Sequence, residues 1–415
     1  MKSQMLLASA LALTAACSRA AAGEPAQKTD LVLIGATLPL TGPDAKPAAA
    51  FKDGYELAFA EVSARGGLQI GPVKKPVQLR LLDDAGSVES AALLADRLIN
   101  AEGVRFLLGT YQSTLVMAQS RVAEQAGVPY VNGGGAAADI YAQAHWAFGL
   151  LAPVDMLAYS VMRWVDVEQN LGKLPSPLRV AVLWEKTPHG KDFERGVVDF
   201  AGKTPRRRAG YQVVFDESFE MNAPDAKAIM KRLQAAGADV FLADAHLADF
   251  IALHKEYTAA GLCHQVVSYG ARGSEQQAAE ALGREKVKGI LSAVWWSSEV
   301  GQELNHDFVD SFQSRYGRKP EWYSALGYES ARALFTAVTE AKSLDREKVR
   351  QALAALQMPS ILPGGRLSFQ GGQAHYPFVV QQNQPGGGAD IVYPSELAQA
   401  QGALNPSCPS RLARR

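Results

Sequence analysis

The residues best suited to hold a small charged molecule fall in three groups of loops. The first is Gly109-Thr110-Tyr111-Gln112-Ser113-Thr114, after the apolar run 105–108. It sets hydroxyls and free backbone N–H groups at the start of a helix. Such an end attracts an anion through its unpaired donors and the helix dipole. A plain helix cap at Ser113 accounts for the same residues. The second loop is Asn132-Gly133-Gly134-Gly135-Ala136-Ala137-Ala138-Asp139. Consecutive glycines let backbone approach a ligand that side chains would hold off. A flexible turn is the plain alternative. The Gly-x-Gly-x-x-Gly spacing of a dinucleotide site and the Lys-Ser/Thr ending of a phosphate loop are both absent. The third group comprises Trp184-Glu185-Lys186-Thr187-Pro188-His189-Gly190, Asp244-Ala245-His246 and Tyr269-Gly270-Ala271-Arg272. Each follows a strand-like run, where a ring or an imidazole can close over a ligand. Trp295-Trp296 is placed to line the same cleft. Its plainer reading is one ring in the core and the other covering surface.

Enzyme readings fail on inventory. There is no Gly-x-Ser-x-Gly elbow and no His-Glu-x-x-His. The 7 histidines show no metal-ligand spacing, and Cys-x-x-Cys is absent. A hydrolase would need Ser113, His189 or His246, and Asp244 assembled into a triad by closure of two domains. Binding without catalysis is therefore expected, with no metal and no cofactor. Lys+Arg and Asp+Glu are equal at 42 each. That balance gives no nucleic-acid footprint and no general attraction to anionic membranes.

A chain of 415 residues is long for one core, so two domains are expected. Short β-rich runs alternate with amphipathic stretches. Strands are expected at 31–40, 77–82, 105–110, 129–132, 179–184, 211–215, 239–243, 266–269 and 289–295, with late strands at 378–382 and 390–393. Helices are expected at 48–64, 90–100, 114–125, 224–236, 248–260 and 325–341. All but the last are closed by glycine, the usual left-handed stop. Strand–helix repetition with continuously apolar central strands implies an α/β fold of doubly wound parallel sheets.

Lys2 and the apolar run 5–16 read as a secretory signal peptide over residues 1–22, too short to span a bilayer. Two processing routes compete. Leu13-Thr14-Ala15-Ala16-Cys17 resembles a bacterial lipobox, apart from Thr14, and would leave a lipidated Cys17. Cleavage after Ala20-Ala21-Ala22 would remove it. Cys263 and Cys408 then face an oxidising compartment. A long-range disulfide is one reading; the favoured one is that Cys263, beside Gly261-Leu262, is a buried free thiol. Residues 401–415 form a tail, of which Pro406–Arg415, rich in Pro, Ser and Arg, is expected to be a surface or mobile segment.

Several further stretches recur in order: Ile34-Gly35-Ala36-Thr37-Leu38-Pro39-Leu40-Thr41-Gly42-Pro43, Asp53-Gly54-Tyr55-Glu56-Leu57-Ala58 with Gly66-Gly67, Asp83-Asp84, Val122-Ala123-Glu124-Gln125-Ala126-Gly127-Val128-Pro129, Tyr328-Glu329-Ser330-Ala331, 364–369, Val379-Val380-Gln381 and Val392-Tyr393-Pro394. Together, over about residues 31–400, they resemble the branched-chain amino-acid-binding (Leu/Ile/Val-type) family of periplasmic ABC-transporter substrate-binding proteins. The resemblance implies a type I periplasmic binding protein fold with three hinge crossings near residues 150, 295 and 370. The N-terminal lobe would combine 30–150 with 296–370, and the C-terminal lobe 151–295 with 371–400. It implies an exported monomer that passes an amino acid or related small carboxylate to an ABC permease. A ligand-sensing receptor domain is the alternative.

The resemblance also places a ligand carboxylate on Ser113 and on 134–136, and rings from the second lobe at His189 and His246. The sequence departs from it at two points. The hydroxyl residue expected in the second loop is Ala136 or Ala137. The acid expected near Ala271 to hold an α-ammonium is missing, and Arg272 stands beside it. A buried ammonium without an anion is costly. Either Glu185 or Asp244 substitutes, or the ligand is a carboxylate without an ammonium, stacked on Tyr111, Trp184 or Tyr269. Amino acids remain the leading class.

Overall fold

The computed structural model describes residues 31–408 and Leu412; residues 1–30, with the expected leader and Cys17, lie outside the described residues. Two seven-stranded sheets organise the chain. The first runs Phe369–Gln370, Gln373–Ala374, Ala147–Gly149, Tyr130–Asn132, Phe106–Leu108, Val32–Leu38 and Val77–Asp83. The second runs Ala389–Tyr393, Val379–Asn383, Leu291–Val294, Val266–Tyr269, Val240–Asp244, Leu178–Glu185 and Tyr211–Phe219. Central pairings are parallel; in the second sheet the late strands join antiparallel, while in the first Gln373–Ala374 joins in parallel and Phe369–Gln370 closes the edge antiparallel. Phe106–Leu108 and Val240–Asp244 are buried at every residue, because helices cover both faces. This is the doubly wound, two-lobed α/β architecture expected from the alternation.

Each expected helix forms, with shifted ends. Ser113–Ala126 stops at Gly127, and Ala226–Ala236 stops at Gly237. The latter begins at Asp225, whose side chain accepts from Ala228 N, rather than at Pro224. The last long helix starts three residues earlier than expected, as Trp322–Ala341. It crosses Ala45–Ala64 at two glycines. A Cβ on Gly54 would lie 2.1 Å from the Ser324 carbonyl oxygen, and one on Gly327 2.5 Å from that of Phe51. Only glycine permits this approach, which brings Phe51, Trp322 and Tyr323 together.

Two expectations are corrected. Cys263 is exposed, not buried, and forms a disulfide with Cys408. The segment before Cys408 is tied down too: Asn405 N donates to Gln265 O (2.9 Å), and Gln382 exchanges hydrogen bonds with the Ala403 backbone. The start of the tail is therefore fastened to the second sheet. Both Trp295 and Trp296 are buried, since each indole N–H finds an internal acceptor, Ala152 O and Asn305 Oδ1. Among the described residues no helix is long and apolar enough to cross a membrane.

Candidate functional site

The carboxyl ends of the two parallel sheets face one another, and their loops meet. On the first lobe, Thr110 Oγ1 and Thr37 Oγ1 both donate to the buried Asp84 carboxylate, at 2.6 and 2.5 Å. Tyr55 Oη donates to Gly109 O. These bonds fix the loop that carries Tyr111, Gln112 and Ser113. Ser113 is not a cap: Gln112 holds that position without a side-chain bond. The Ser113 hydroxyl instead accepts from Ala136 N (3.2 Å) and Ala137 N (3.4 Å), joining the two loops. Nor is the glycine loop a loose turn. A Cβ on Gly134 would fall 2.0 Å from Thr110 O, so the loops touch backbone to backbone. Gly135 N donates to Asn132 Oδ1, and Gln373 Nε2 donates to Ala136 O.

On the second lobe two histidine–carboxylate pairs stand side by side. His189 Nδ1 lies 2.8 Å from Asp244 Oδ2. Burial raises the Asp244 carboxyl, but the charge and hydrogen bond of His189 prevail and hold it below its ordinary value. His246 pairs with the fully buried Glu185 twice, through its backbone N (2.5 Å) and its ring Nδ1. Burial lowers the His246 imidazole, while the Glu185 charge and hydrogen bond raise it further, so the net shift is upward. Arg272 lies in the loop after Val266–Tyr269 and is 3% exposed. Its Nη2 donates to Tyr111 Oη at 2.8 Å, across the lobes. Its Nε and Nη1 have no hydrogen-bond partner. Glu275 Oε1 is 3.8 Å from Arg272 Nε and accepts from Tyr323 Oη at 2.6 Å. Burial pushes the Glu275 carboxyl up to about 7, against the pull of Arg272.

Aromatic rings close around these charges. Tyr111 meets His246 at 6.2 Å between centroids, His246 meets His189 at 6.4 Å, and His189 meets Trp295 at 6.2 Å. Trp295 meets Trp322 at 5.2 Å, Trp322 meets Tyr323 at 3.7 Å, and Tyr323 returns to Tyr111 at 5.4 Å. The circuit draws rings from both lobes, and the Arg272 guanidinium sits 5.3 Å from the Trp322 ring.

Ten of the twelve sequence candidates therefore sit in or directly behind this meeting face: Tyr111, Gln112, Ser113, Gly134, Gly135, Ala136, His189, Asp244, His246 and Arg272. The other two lie apart. Trp184 is half-buried, with its indole N–H on Asp216 in the neighbouring strand. Tyr269 points the other way, into a core with Phe250 and His254. Sequence reasoning missed Trp322, Tyr323 and Glu275. The signals were faint: a helix start hidden after Pro320-Glu321, and an acid three residues past Arg272.

A model of the family described as periplasmic binding protein matches residues 32–388. The chain belongs to the periplasmic binding protein family. Leu/Ile/Val-binding protein homolog 8 of Brucella abortus (strain 2308) is 27% identical over 336 residues, 79% of this chain and 81% of that relative. Among solved structures, a branched-chain amino acid transporter substrate-binding protein from Streptococcus pneumoniae, in complex with isoleucine, superposes with a TM-score of 0.75 at 18% identity, covering 88% of this chain and all of that one. An ABC-transporter solute-binding protein from R. palustris, in complex with benzoate, gives 0.74 at 20% identity, covering 87% and 95%. At such identities the solved structures speak for the fold. Periplasmic binding proteins are solute-binding proteins, and the family places this chain outside the cytoplasm.

Proposed function

We propose that this protein captures a small carboxylate-bearing solute between its lobes, without transforming it, and delivers it as a monomer to an ABC permease. The observation that carries the reading is the interlobe face itself. Arg272 is buried there with two unpartnered nitrogens, opposite the Ser113 and Gly134 loops. A buried cation with open donors is stabilised by an oxyanion. Tyr111, Ser113, the 134–136 backbone, His189, His246 and Arg272 form the proposed site. The lobes hinge where the chain passes between sheets, at 150–153, 295–302 and 375–378; Gln373–Ala374 still pairs in the first sheet, which supports a third crossing later than residue 370. Closure over the solute removes it from water and strengthens every hydrogen bond to it.

A thermal-shift screen over amino acids and aromatic and aliphatic acids tests this. A cleft ligand at about 100 times its Kd adds about 2.7 kcal/mol to stability. The bound compound should be recovered chemically unchanged at one per chain. Turnover, or no shift with any carboxylate, would end the reading.

A further inference from the structure

We propose that the solute is an aromatic carboxylic acid without an α-ammonium group, its carboxylate on Arg272 and its ring among the aromatic side chains of the circuit. The inference rests on solute capture as read above and names its ligand class.

Three features of the site carry it. The first is the guanidinium. Arginine stays charged in proteins and offers a planar fork of donors that suits a carboxylate. At Arg272 only Nη2 is used, by a neutral phenol, while Nε and Nη1 are buried without partners. The neighbouring acid does not satisfy them, because Glu275 is 3.8 Å from Nε and its Oε1 accepts from Tyr323.

The second is the state of the acids. An α-ammonium needs an ionised carboxylate with a free oxygen. Glu185 is occupied at both oxygens by His246. Asp244 gives Oδ2 to His189, and Arg272 and His246 already stand as cations beside its carboxylate. Asp44 of the first lobe is half-buried, within electrostatic reach of Tyr111 and His246. Glu275 Oε2 is open, but it adjoins Arg272, whose charge repels an ammonium. Arg272 Nε and Nη1 and His189 Nε2 are buried nitrogens left without a partner, which favours an anion over an ammonium at this point of the site.

The third is the circuit of rings. Tyr111, Tyr323 and Trp322 from the first lobe meet His246, His189 and Trp295 from the second, with centroids 3.7–6.4 Å apart. Faces and edges of several orientations are offered at once. A flat ring entering between the lobes replaces ring–ring contacts with equivalent ones, edge-to-face or offset. A branched aliphatic chain fills space but lacks the ring quadrupole.

Calorimetric titration of the full chain with benzoate, cyclohexanecarboxylate, L-leucine and L-phenylalanine tests the proposal, with tryptophan fluorescence as a second readout. Benzoate should bind one per chain, about 3- to 10-fold tighter than cyclohexanecarboxylate. The two amino acids should bind far more weakly. Arg272→Met should weaken benzoate by about 100-fold, and Arg272→Lys, which keeps the charge and loses the fork, by about 10-fold. Circular dichroism checks that both variants fold. Leucine or phenylalanine binding as tightly as benzoate overturns the inference and leaves solute capture standing. Equal binding of cyclohexanecarboxylate overturns its aromatic part. Unchanged affinity in folded Arg272→Met overturns the role of Arg272. Silence with all four acids overturns the inference, while solute capture then stands or falls on the wider thermal-shift screen.

Discussion

Burial pushes the Glu275 carboxyl up to about 7, against the opposing pull of Arg272 and the Tyr323 hydroxyl. An anion bound on Arg272 adds a like charge to ionised Glu275 and favours its protonated form. Binding should therefore take up a proton. Affinity for an anionic solute should be highest below pH 7 and fall as pH rises past it, by up to about tenfold per pH unit for one coupled proton. Titrations from pH 6 to 8.5 check this, and Glu275→Gln should flatten the slope. A slope of opposite sign, or one that Glu275→Gln leaves wholly unchanged, would remove Glu275 from the site; a smaller slope that survives belongs to His246, which Glu185 holds above its ordinary value. Ser113 has a different part, since its hydroxyl accepts from two buried backbone N–H groups. Ser113→Ala should lower stability by about 1–3 kcal/mol; a variant that melts with the wild type would show that those N–H groups do not depend on the hydroxyl. At this scale the legible signal was a polar or aromatic residue at the end of a strand. Trp184 and Tyr269 carried that signal, yet one leans onto Asp216 and the other into the core. Adjacent strand residues point to opposite faces, and a strand end moved by one residue reverses which face a side chain joins.

The elements were legible because their signals are local. Hydrophobic periodicity located the strands and glycines marked helix ends. What needed three dimensions was invisible. Gly54 and Gly327 are far apart in sequence, and only their crossing shows why both are glycine. Trp322 and Tyr323 reach the site because their helix starts earlier than its apolar pattern suggests. The disulfide belongs here too. Cys263 sits in an apolar-looking stretch but is exposed, where Cys408 can reach it. With a sequence separation of 145 residues the bond restricts the unfolded chain strongly. Replacing both cysteines by serine should cost about 2–5 kcal/mol in chemical denaturation. Ligand affinity should stay unchanged, because the bond lies on the second lobe away from the meeting face. A loss of affinity without a loss of stability would contradict that placement.

At the scale of the molecule, the lobes are held together by few direct polar contacts around the aromatic circuit. Arg272 donates to Tyr111, Tyr323 to Glu275, Gln277 to Glu321, and Ala138 N to Asp192 Oδ2 at 2.9 Å. The last of these lies outside the circuit. Asp192 sits on the helix Pro188–Gly202, and its other oxygen pairs with Arg195 on the same helix. It therefore belongs to the second lobe and reaches one backbone N–H of the first. Asp192→Ala removes a contact made only when the lobes are together, so it should shift the open–closed balance and leave each lobe intact. The lost bond is charge-assisted, at about 1.5–3 kcal/mol, which corresponds to roughly ten- to hundredfold in the closed-to-open ratio. Apparent affinity follows the closed fraction whenever that fraction is small. Small-angle scattering should then show a larger radius of gyration for the ligand-free variant, and saturating ligand should restore the compact form. A variant whose scattering matches the wild type while its affinity falls would mean that Asp192 touches the solute rather than the opposite lobe. Weaker affinity that ligand saturation reverses, together with an expanded free form, is the signature of a latch.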